Sequence, residues 1–478
     1  MKTYTALFVL AFLFSYLSTP LLRWILQRRG LLDSAFSAGP HQRRPVPRLG
    51  GVVIYVALLI SLAALFVPDN VVSGEFRAQL STLLLLWGPA TLVLLLGVAD
   101  DIWGVNPWVK LSVQLTAALW LVLAGVSISR LSMPWGGVAV LGTLAIPVTL
   151  AWLVGVTNAF NLIDGLDGLA AGVAFLSASA IAVTAAMVDD KIVVVLTVAL
   201  AGALLGFLRH NFNPATIFLG DSGSLFIGFL LAAAAIVWQQ KTTVAIAVVA
   251  PLVAFALPVT DTAVSMARRY LRGQPLFTSD RQHIHHRLLT LGFSPRRAVL
   301  ILYALSAVAA LGCILIARGH NFVTAMVLLL FIAACWIGLR RLSYPEFVEV
   351  GRAFNRQRAI ARGLLEEKGK ELRSASSLDE LRQRLEESAG ALELDEAELS
   401  FDGSGRPPAA DDGLWRLTIP LNGRARLQLG RNPQRGETAL ALEDVGRELR
   451  SALEESLSRM EAEVAAAPAW APPEQRQA

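Results

Sequence analysis

An all-α polytopic membrane protein of about eleven transmembrane helices, followed by a small C-terminal cytoplasmic α/β domain, is the architecture this sequence predicts. Three observations predict it. The 478 residues are 54% hydrophobic, and their mean hydropathy of +0.54 is too high for a soluble chain of this length. Apolar windows long enough to cross ~30 Å of hydrocarbon recur as far as residue 340 and then stop. From Pro345 onward charges are dense and no membrane-length apolar run remains.

The windows fall near residues 4–26, 50–67, 80–98, 109–126, 138–158, 167–187, 191–208, 222–238, 242–267, 298–317 and 322–340, with 127–143 the least defined stretch between them. The first is followed by Arg23, Arg28 and Arg29 and preceded only by Lys2, the reverse of a cleaved signal peptide, so it reads as a retained span. Arginines crowd the loops after odd-numbered windows, among them Arg43, Arg44, Arg48, Arg209, Arg268, Arg269, Arg281 and Arg287. The opposite loops offer Arg77, Arg130, Lys191, Lys241 and Arg318. The positive-inside bias then puts the N-terminus outside and the C-terminal region in the cytoplasm. These loop arginines also account for the net charge of +5, and nucleic acid is not called for. Cys313 and Cys335 both lie inside apolar windows, which excludes a disulfide framework.

With that topology every acidic or histidine-rich cluster falls on the cytoplasmic side. The central one is Asn158-Ala-Phe-Asn161-Leu-Ile-Asp164-Gly-Leu-Asp167-Gly168, in which polar groups recur every third position. On a helix these i,i+3 neighbours form a slowly drifting polar stripe. Carboxylates at a membrane boundary are costly unless paired, wet or metal-bound, although an Asp- and Gly-rich turn between two spans would carry the same letters. Asp100 and Asp101 end the third window directly, and adjacent carboxylates stay ionised only near a cation. Asp221 stands between Gly220 and Ser222-Gly223-Ser224, where a helix restarts with free N–H groups that suit an anion; an ordinary N-cap would read the same. His283, His285 and His286 sit between Arg281 and Arg287. Three histidines suggest zinc, but the flanking arginines favour a diphosphate; a solvated loop stays open. Oxygen ligands beside phosphate-binding cations suit Mg²⁺, which keeps waters and shares carboxylates with substrate phosphates.

The pair Asp100-Asp101 and the strings NAFNLIDGLDG, FLGDSGS and HIHHR, in this order, with PVPRLGG in the first cytoplasmic loop, resemble the polyprenyl-phosphate N-acetylhexosamine-1-phosphate transferases over about residues 1–340. The resemblance implies transfer of a sugar-1-phosphate from a UDP-N-acetylhexosamine to undecaprenyl phosphate with Mg²⁺ or Mn²⁺ and release of UMP. That would start a cell-envelope glycan at the inner face of a bacterial cytoplasmic membrane. The His-Ile-His-His form is similar to the N-acetylglucosamine branch rather than the muramoyl-pentapeptide branch. The resemblance implies Asp221 and Asp101 at the metal, Asp100 beside the metal and the attacking lipid phosphate, and Asn161, Asp164 and Asp167 at nucleotide and metal-bound water. Asn211 would contact the donor, Lys110 the lipid phosphate, and Arg43 the nucleotide; His283, His285, His286 and Arg287 would contact phosphate. Asp100 is the expected base. An ion-coupled transporter, the rival from another class, would spread its acids through the membrane depth. Membrane lipid and a homodimer complete the expected partners.

The chain divides into residues 1–342 in the membrane, 343–466 as the α/β domain and a disordered tail from 467. Residues 346–390 read as charged helix containing the capping box Ser377-x-x-Glu380. Strand-like alternation follows at 397–401, 415–421 and 425–429, then a long amphipathic helix over 437–465. Asn422-Gly423 marks a hairpin, and a three-residue loop that pairs Leu421 with Ala425 keeps both apolar sets on one face. The domain faintly resembles GAF-type modules and carries no catalytic constellation.

Overall fold

The computed structural model describes residues 1–30, 46–132, 138–241, 249–271, 283–318, 321–341, 360–392, 394–401, 414–422, 425–431 and 442–466. The chain forms two compact units, Met1–Tyr344 and Pro345–Ala478.

The first unit is helical: α1 Lys2–Arg28, α2 Gly50–Ala63, α3 Val71–Ala78, α4 Leu80–Trp103, α5 Pro107–Leu123, a short β1–β2 hairpin (Arg130–Ser132, Val138–Val140), α6 Ala145–Leu162, α7 Leu169–Met187, α8 Lys191–Asn211, α9 Gly220–Lys241, α10 Val249–Ala254, α11 Ala256–Leu271, α12 Ile284–Thr290, α13 Pro295–Ala317 and α14 Asn321–Arg341. Among the described residues seven helices are long and apolar enough to cross a membrane, eight if the bent pair Gly50–Phe66 and Val71–Ala78 is one span. This is a multi-pass membrane protein. Pro107–Leu123 and Phe322–Gly338 are shorter apolar helices.

The window at 242–267 does not form one continuous helix. Pro258 has no N–H to give the carbonyl of Ala254, and that carbonyl instead accepts the hydroxyl of Ser177 from α7 at 2.8 Å. The helix expected from 138 begins at Ala145, because the hairpin and a 3₁₀ turn at Gly142–Leu144 occupy the stretch before it.

Helix α9 is the axis of the bundle. The share of its apolar window that is buried is 89%, against 22% for α1. Elsewhere in the bundle small residues let helices approach closely. On α8, Gly202 and Gly206 lie against the backbone of α1: a Cβ at either would stand 2.3 Å from the carbonyl oxygen of Phe8 or Phe12. This is the small-xxx-small packing that membrane helices use where no hydrophobic effect drives them together.

The second unit contains a helix over 360–373 (α15), α16 Leu378–Ala391, β3 Glu396–Phe401, β4 Trp415–Leu421, β5 Ala425–Arg431 and α17 Leu442–Ala466. The sheet is antiparallel in the order β3-β5-β4, and Leu421 pairs with Ala425, the register expected of a three-residue loop. Ser377 caps α16 by accepting the N–H of Glu380, while Glu380 reaches back to Ser376. Leu427 and Leu429 of β5 pack with Val445, Leu449 and Leu453 of α17 in one core.

Candidate active site

The head of α9 is built from three segments distant in sequence. Residues 47–51 run alongside 218–219: Phe218 N–H donates to Pro47 O (2.8 Å), Gly50 N–H to Phe218 O and Gly51 N–H to Leu219 O (both 3.1 Å). Gly220 then takes φ +75°, which turns the chain into the helix. Asp101, at the end of α4, caps that helix. Its two carboxylate oxygens accept the N–H groups of Asp221 (2.9 Å) and Ser222 (3.0 Å). The approach is close enough that a Cβ at Gly97 would lie 2.4 Å from Asp221 O, and one at Gly51 2.2 Å from Gly223 N. Gly97→Ala must therefore push α4 off α9. We expect a lower unfolding temperature in detergent and loss of substrate turnover together; unchanged values for both would count against the packing described.

The cap leaves the Asp221 side chain free to face charge. Lys110 Nζ bonds Asp221 Oδ2 at 2.5 Å and also bonds Asp100. Its place follows from local sequence. Gly104 at φ +70° ends α4, Asn106 caps α5 by accepting Trp108 N–H (2.9 Å), and Pro107 opens the helix, so Lys110 falls one turn in. Asp100 is braced by the N–H of Val105 at 2.6 Å.

Beside this triad lies a cavity of about 130 Å³, with Arg48, Asn161, Asp164, Asp167, Asn211 and Asp221 in its lining. The polar stripe is not helical throughout: α6 ends at Leu162, and Asp164 and Asp167 stand in the turn that follows, closed by Gly168 at φ +82°. Asn158 points instead to Gln114 of α5 (2.6 Å). Asn161 donates to Ser224 Oγ (2.9 Å), whose hydroxyl donates to Gly220 O. Asp167 accepts from Asn213 Nδ2 (2.9 Å) and Ala215 N–H (3.0 Å), and so ties the two lining loops together. Asn211 donates to Ile217 O (3.0 Å), and its buried Oδ1 has no partner among the described residues.

Burial, reinforced by the negative charges of Asp221 and Asp101, pushes the Asp164 carboxyl well above the usual carboxylate range; Arg48 opposes them. An excess of buried carboxyl over nearby cation fits a divalent ion. Among the described residues no three His, Cys, Asp or Glu side chains already stand in ligand geometry. The donors are nonetheless hard oxygens, and Mg²⁺ needs only one or two carboxylates when substrate phosphates complete its shell.

The histidine motif forms the start of α12. The ring of His285 lies on Gly165 of the pocket turn, where a Cβ would stand 2.2 Å from Nε2. Burial, then the neighbouring His286, pushes His285 down to about 3, so it is a neutral imidazole at physiological pH. His286 stands beside it at a ring separation of 4.3 Å, and Arg287 follows on the same short helix. His283 bonds Asp261 (3.0 Å) rather than facing open solvent. Arg43 lies outside the described residues, and Arg48 is the basic residue of that loop found in the cavity wall.

Four residues were given no role in the sequence reading. Arg48 stands in the PVPRLGG string but was one arginine among several in its loop; Asp261 could have been found as an acid inside an apolar window. Tyr303 and Arg296 carry no sequence signal of their own. From α13, Tyr303 donates to Gly168 O (2.5 Å) and Arg296 to Asn213 O (2.9 Å), so one helix holds both loops that line the cavity.

The family model described as glycosyl transferase family 4 matches residues 83–239, which run from α4 through α9 and hold every carboxylate of the cavity. A probable undecaprenyl-phosphate N-acetylglucosaminyl 1-phosphate transferase of Bacillus subtilis is 32% identical over 329 residues, 68% of this chain and 89% of that protein. A decaprenyl-phosphate N-acetylglucosaminephosphotransferase of Mycobacterium tuberculosis is 36% identical over 336 residues, covering 63% and 80%. A phospho-N-acetylmuramoyl-pentapeptide-transferase of Moorella thermoacetica is 33% identical over 295 residues, covering 58% and 86%. With nearly nine-tenths of the Bacillus relative spanned and the cavity residues inside the matched region, the chain belongs to glycosyl transferase family 4, the polyprenyl-phosphate N-acetylhexosamine-1-phosphate transferases.

Proposed function

We propose that this protein transfers N-acetylglucosamine-1-phosphate from UDP-N-acetylglucosamine to undecaprenyl phosphate at the cytoplasmic face of a bacterial membrane, releasing UMP. The observation that carries the reading is the cluster of Asp100, Lys110, Asp164 and Asp221 at the head of α9, beside a cavity that Arg48 also lines. The Bacillus relative, named for that transfer, supports it over a longer stretch than the muramoyl-pentapeptide relative does. Carboxylates gathered at one end of the bundle favour chemistry over an ion path through the membrane.

The reaction brings two anions together, so catalysis is positioning and charge neutralisation. Lys110 and Arg48 hold phosphate oxygens. Asp100, fixed by Val105 N–H, takes the proton of the lipid phosphate. The freed oxygen attacks the sugar-bound phosphorus, a new P–O bond forms, and the bond to the α-phosphate breaks with UMP as leaving group. Direct attack needs no covalent intermediate. Mg²⁺, held by Asp221 with Asp101 behind it, would neutralise the diphosphate; Asn161, Asp164, Asp167 and Asn211 orient nucleotide and water.

The test is UMP release by purified protein given undecaprenyl phosphate and Mg²⁺ with UDP-N-acetylglucosamine, UDP-N-acetylgalactosamine or UDP-N-acetylmuramoyl-pentapeptide in turn. Turnover with the first is expected. Turnover with the last alone would make this a muramoyl transferase.

The eleven-span topology belongs to the same reading, with α5, the α10–α11 pair and α14 as the additional crossings. A reporter fused after Arg341 is expected in the cytoplasm and one placed between Val188 and Lys191 outside. Both on one side would break the orientation.

A further inference from the structure

Asn158 opens the polar stretch that lines the cavity, yet it lies outside the cavity wall and faces α5. Its amide donates to Gln114 Oε1 at 2.6 Å, and Gln114, 1% exposed, returns Nε2 toward Asn158 Oδ1 at 3.5 Å. One turn before Gln114 on α5 stands Lys110. One turn beyond Asn158 on α6 stands Asn161, which donates to Ser224 Oγ of α9 at 2.9 Å. One turn before Ser224 stands Asp221, and Lys110 Nζ bonds it at 2.5 Å. Three helices thus close a ring in which each contributes one turn and each junction is a polar bond. Two sides of that ring are firmly seated on each other. Trp152 Nε1 of α6 donates to Ala232 O of α9 (3.2 Å), and a Cβ at Gly228 of α9 would stand 3.0 Å from Thr157 Cα.

On the third side, α5, the other buried residues are Ala117, Ala118 and Leu121, which are apolar and give contact without direction. A buried amide left without a partner is costly, so the Asn158–Gln114 pair favours one setting of α5 on α6. That setting decides where the stem of Lys110 begins. Lys110 bridges Asp221 and Asp100 at once, so a shift of α5 toward one carboxylate lengthens the bond to the other. We propose that Asn158 and Gln114 are positioning residues that set the register of α5 and so hold the Lys110 ammonium between Asp100 and Asp221, where it meets the acceptor phosphate. The phosphate rests on the transferase reading; the register stands on the geometry. Placement on this scale has a large effect, since a displacement of ~1 Å at a reacting group costs ~10²-fold in rate.

The amide pair can be rebuilt with its two lengths exchanged. Gln114→Asn leaves the pair one methylene short, Asn158→Gln makes it one too long, and the two together restore the span. Each single variant is expected to lose at least about tenfold in kcat/KM for undecaprenyl phosphate, with KM for UDP-N-acetylglucosamine changed less than about threefold, and the double variant to recover most of the loss. Single variants as active as the parent, a double variant no better than the worse single one, or a loss that falls on the donor instead overturns the proposal. The place of Lys110 is read apart from activity by carbon-13 and nitrogen-15 spectra of the full chain, labelled in lysine and held in detergent. Lys110→Arg identifies its resonance by disappearance. That resonance is expected to coincide in the parent and the double variant, and to move in Asn158→Leu toward that of exposed Lys2. A Lys110 resonance indifferent to Asn158→Leu overturns the proposal; where that variant does not fold, the resonance in Gln114→Asn decides in the same way. If Lys110 responds as expected while the parent turns over no UDP-sugar, the transferase reading fails and the register stands.

Discussion

Asp221→Asn is expected to insert and fold as the parent does and to lose nearly all transfer activity. The fold half of this result comes from the division of labour between adjacent groups at the head of α9. The helix cap is supplied by Asp101, whose oxygens hold the N–H groups of Asp221 and Ser222, so the Asp221 side chain is not needed to start the helix. The activity half comes from charge. Asparagine keeps the shape and one acceptor for Lys110 but removes the negative charge that would hold a divalent cation. Residual UMP release above about a tenth of the parent, ~1.4 kcal/mol of barrier, would count against cation binding at Asp221. Asp101→Asn provides the contrast: weakening the cap should lower the unfolding temperature as well, through a loss of stability of the ~0.5–2 kcal/mol typical of such caps.

Asp164→Asn is expected to be inactive and, in metal-free buffer at neutral pH, at least as thermostable as the parent. The sign follows from the direction of its shift. Burial and the Asp221 and Asp101 charges raise this carboxyl in the folded state above its value in the unfolded chain, ~3.9. A carboxyl raised in this way favours the fold at pH below the unfolded value, and that contribution is lost as pH climbs toward the folded one. At neutral pH the aspartate is therefore a burden on the metal-free fold, and the neutral isostere relieves it. A cation reverses the preference, because it binds the ionised form and must displace the proton. The Mg²⁺ concentration for half-maximal activity of the parent should then rise as pH falls through the acid range. Thermal unfolding with and without Mg²⁺, followed across pH, checks both halves. A less stable Asp164→Asn in metal-free buffer, or a Mg²⁺ requirement independent of pH, would show that Asp164 does not carry the excess charge.

These expectations depend on features of unequal visibility in the sequence. The carboxylates of the cavity were legible because each breaks an apolar run, and a buried acid is too costly to be idle. The register of β4 on β5 was legible because alternation and turn chemistry both demanded that Leu421 face Ala425. Helix ends were not. The i,i+3 spacing of Asn158, Asn161, Asp164 and Asp167 suits a continuing helix, but the chain turns after Leu162, closed by Gly168 at positive φ, and Asn158 within α6 faces Gln114 of α5. The break before α11 depends on Pro258 and on a hydroxyl from α7 ready to take the stranded carbonyl, a tertiary fact. Arg48 and Asp261 were visible as letters and invisible as partners, since their roles come from interactions across 116 and 22 positions of chain in the one case and the other. For Asp164 and Arg48, 164 − 48 gives 116 positions, and no local pattern spans that distance.

The glycine pair on α8 bears on the order of assembly. Helix α1 leaves the ribosome before α8, and the surface cut to receive it, Gly202 and Gly206, is made more than 170 residues later. At ~5–20 residues per second that is roughly ten to forty seconds of synthesis. During this interval α1 must survive in lipid without its neighbour. Two of its hydroxyls are suited to waiting: Ser18 and Thr19 donate to the carbonyls of Phe14 and Ser15 one turn back, at 2.6 Å each, and need no second helix to satisfy them. Helix α1 is thus a lodger in the bilayer until its berth on α8 is synthesised.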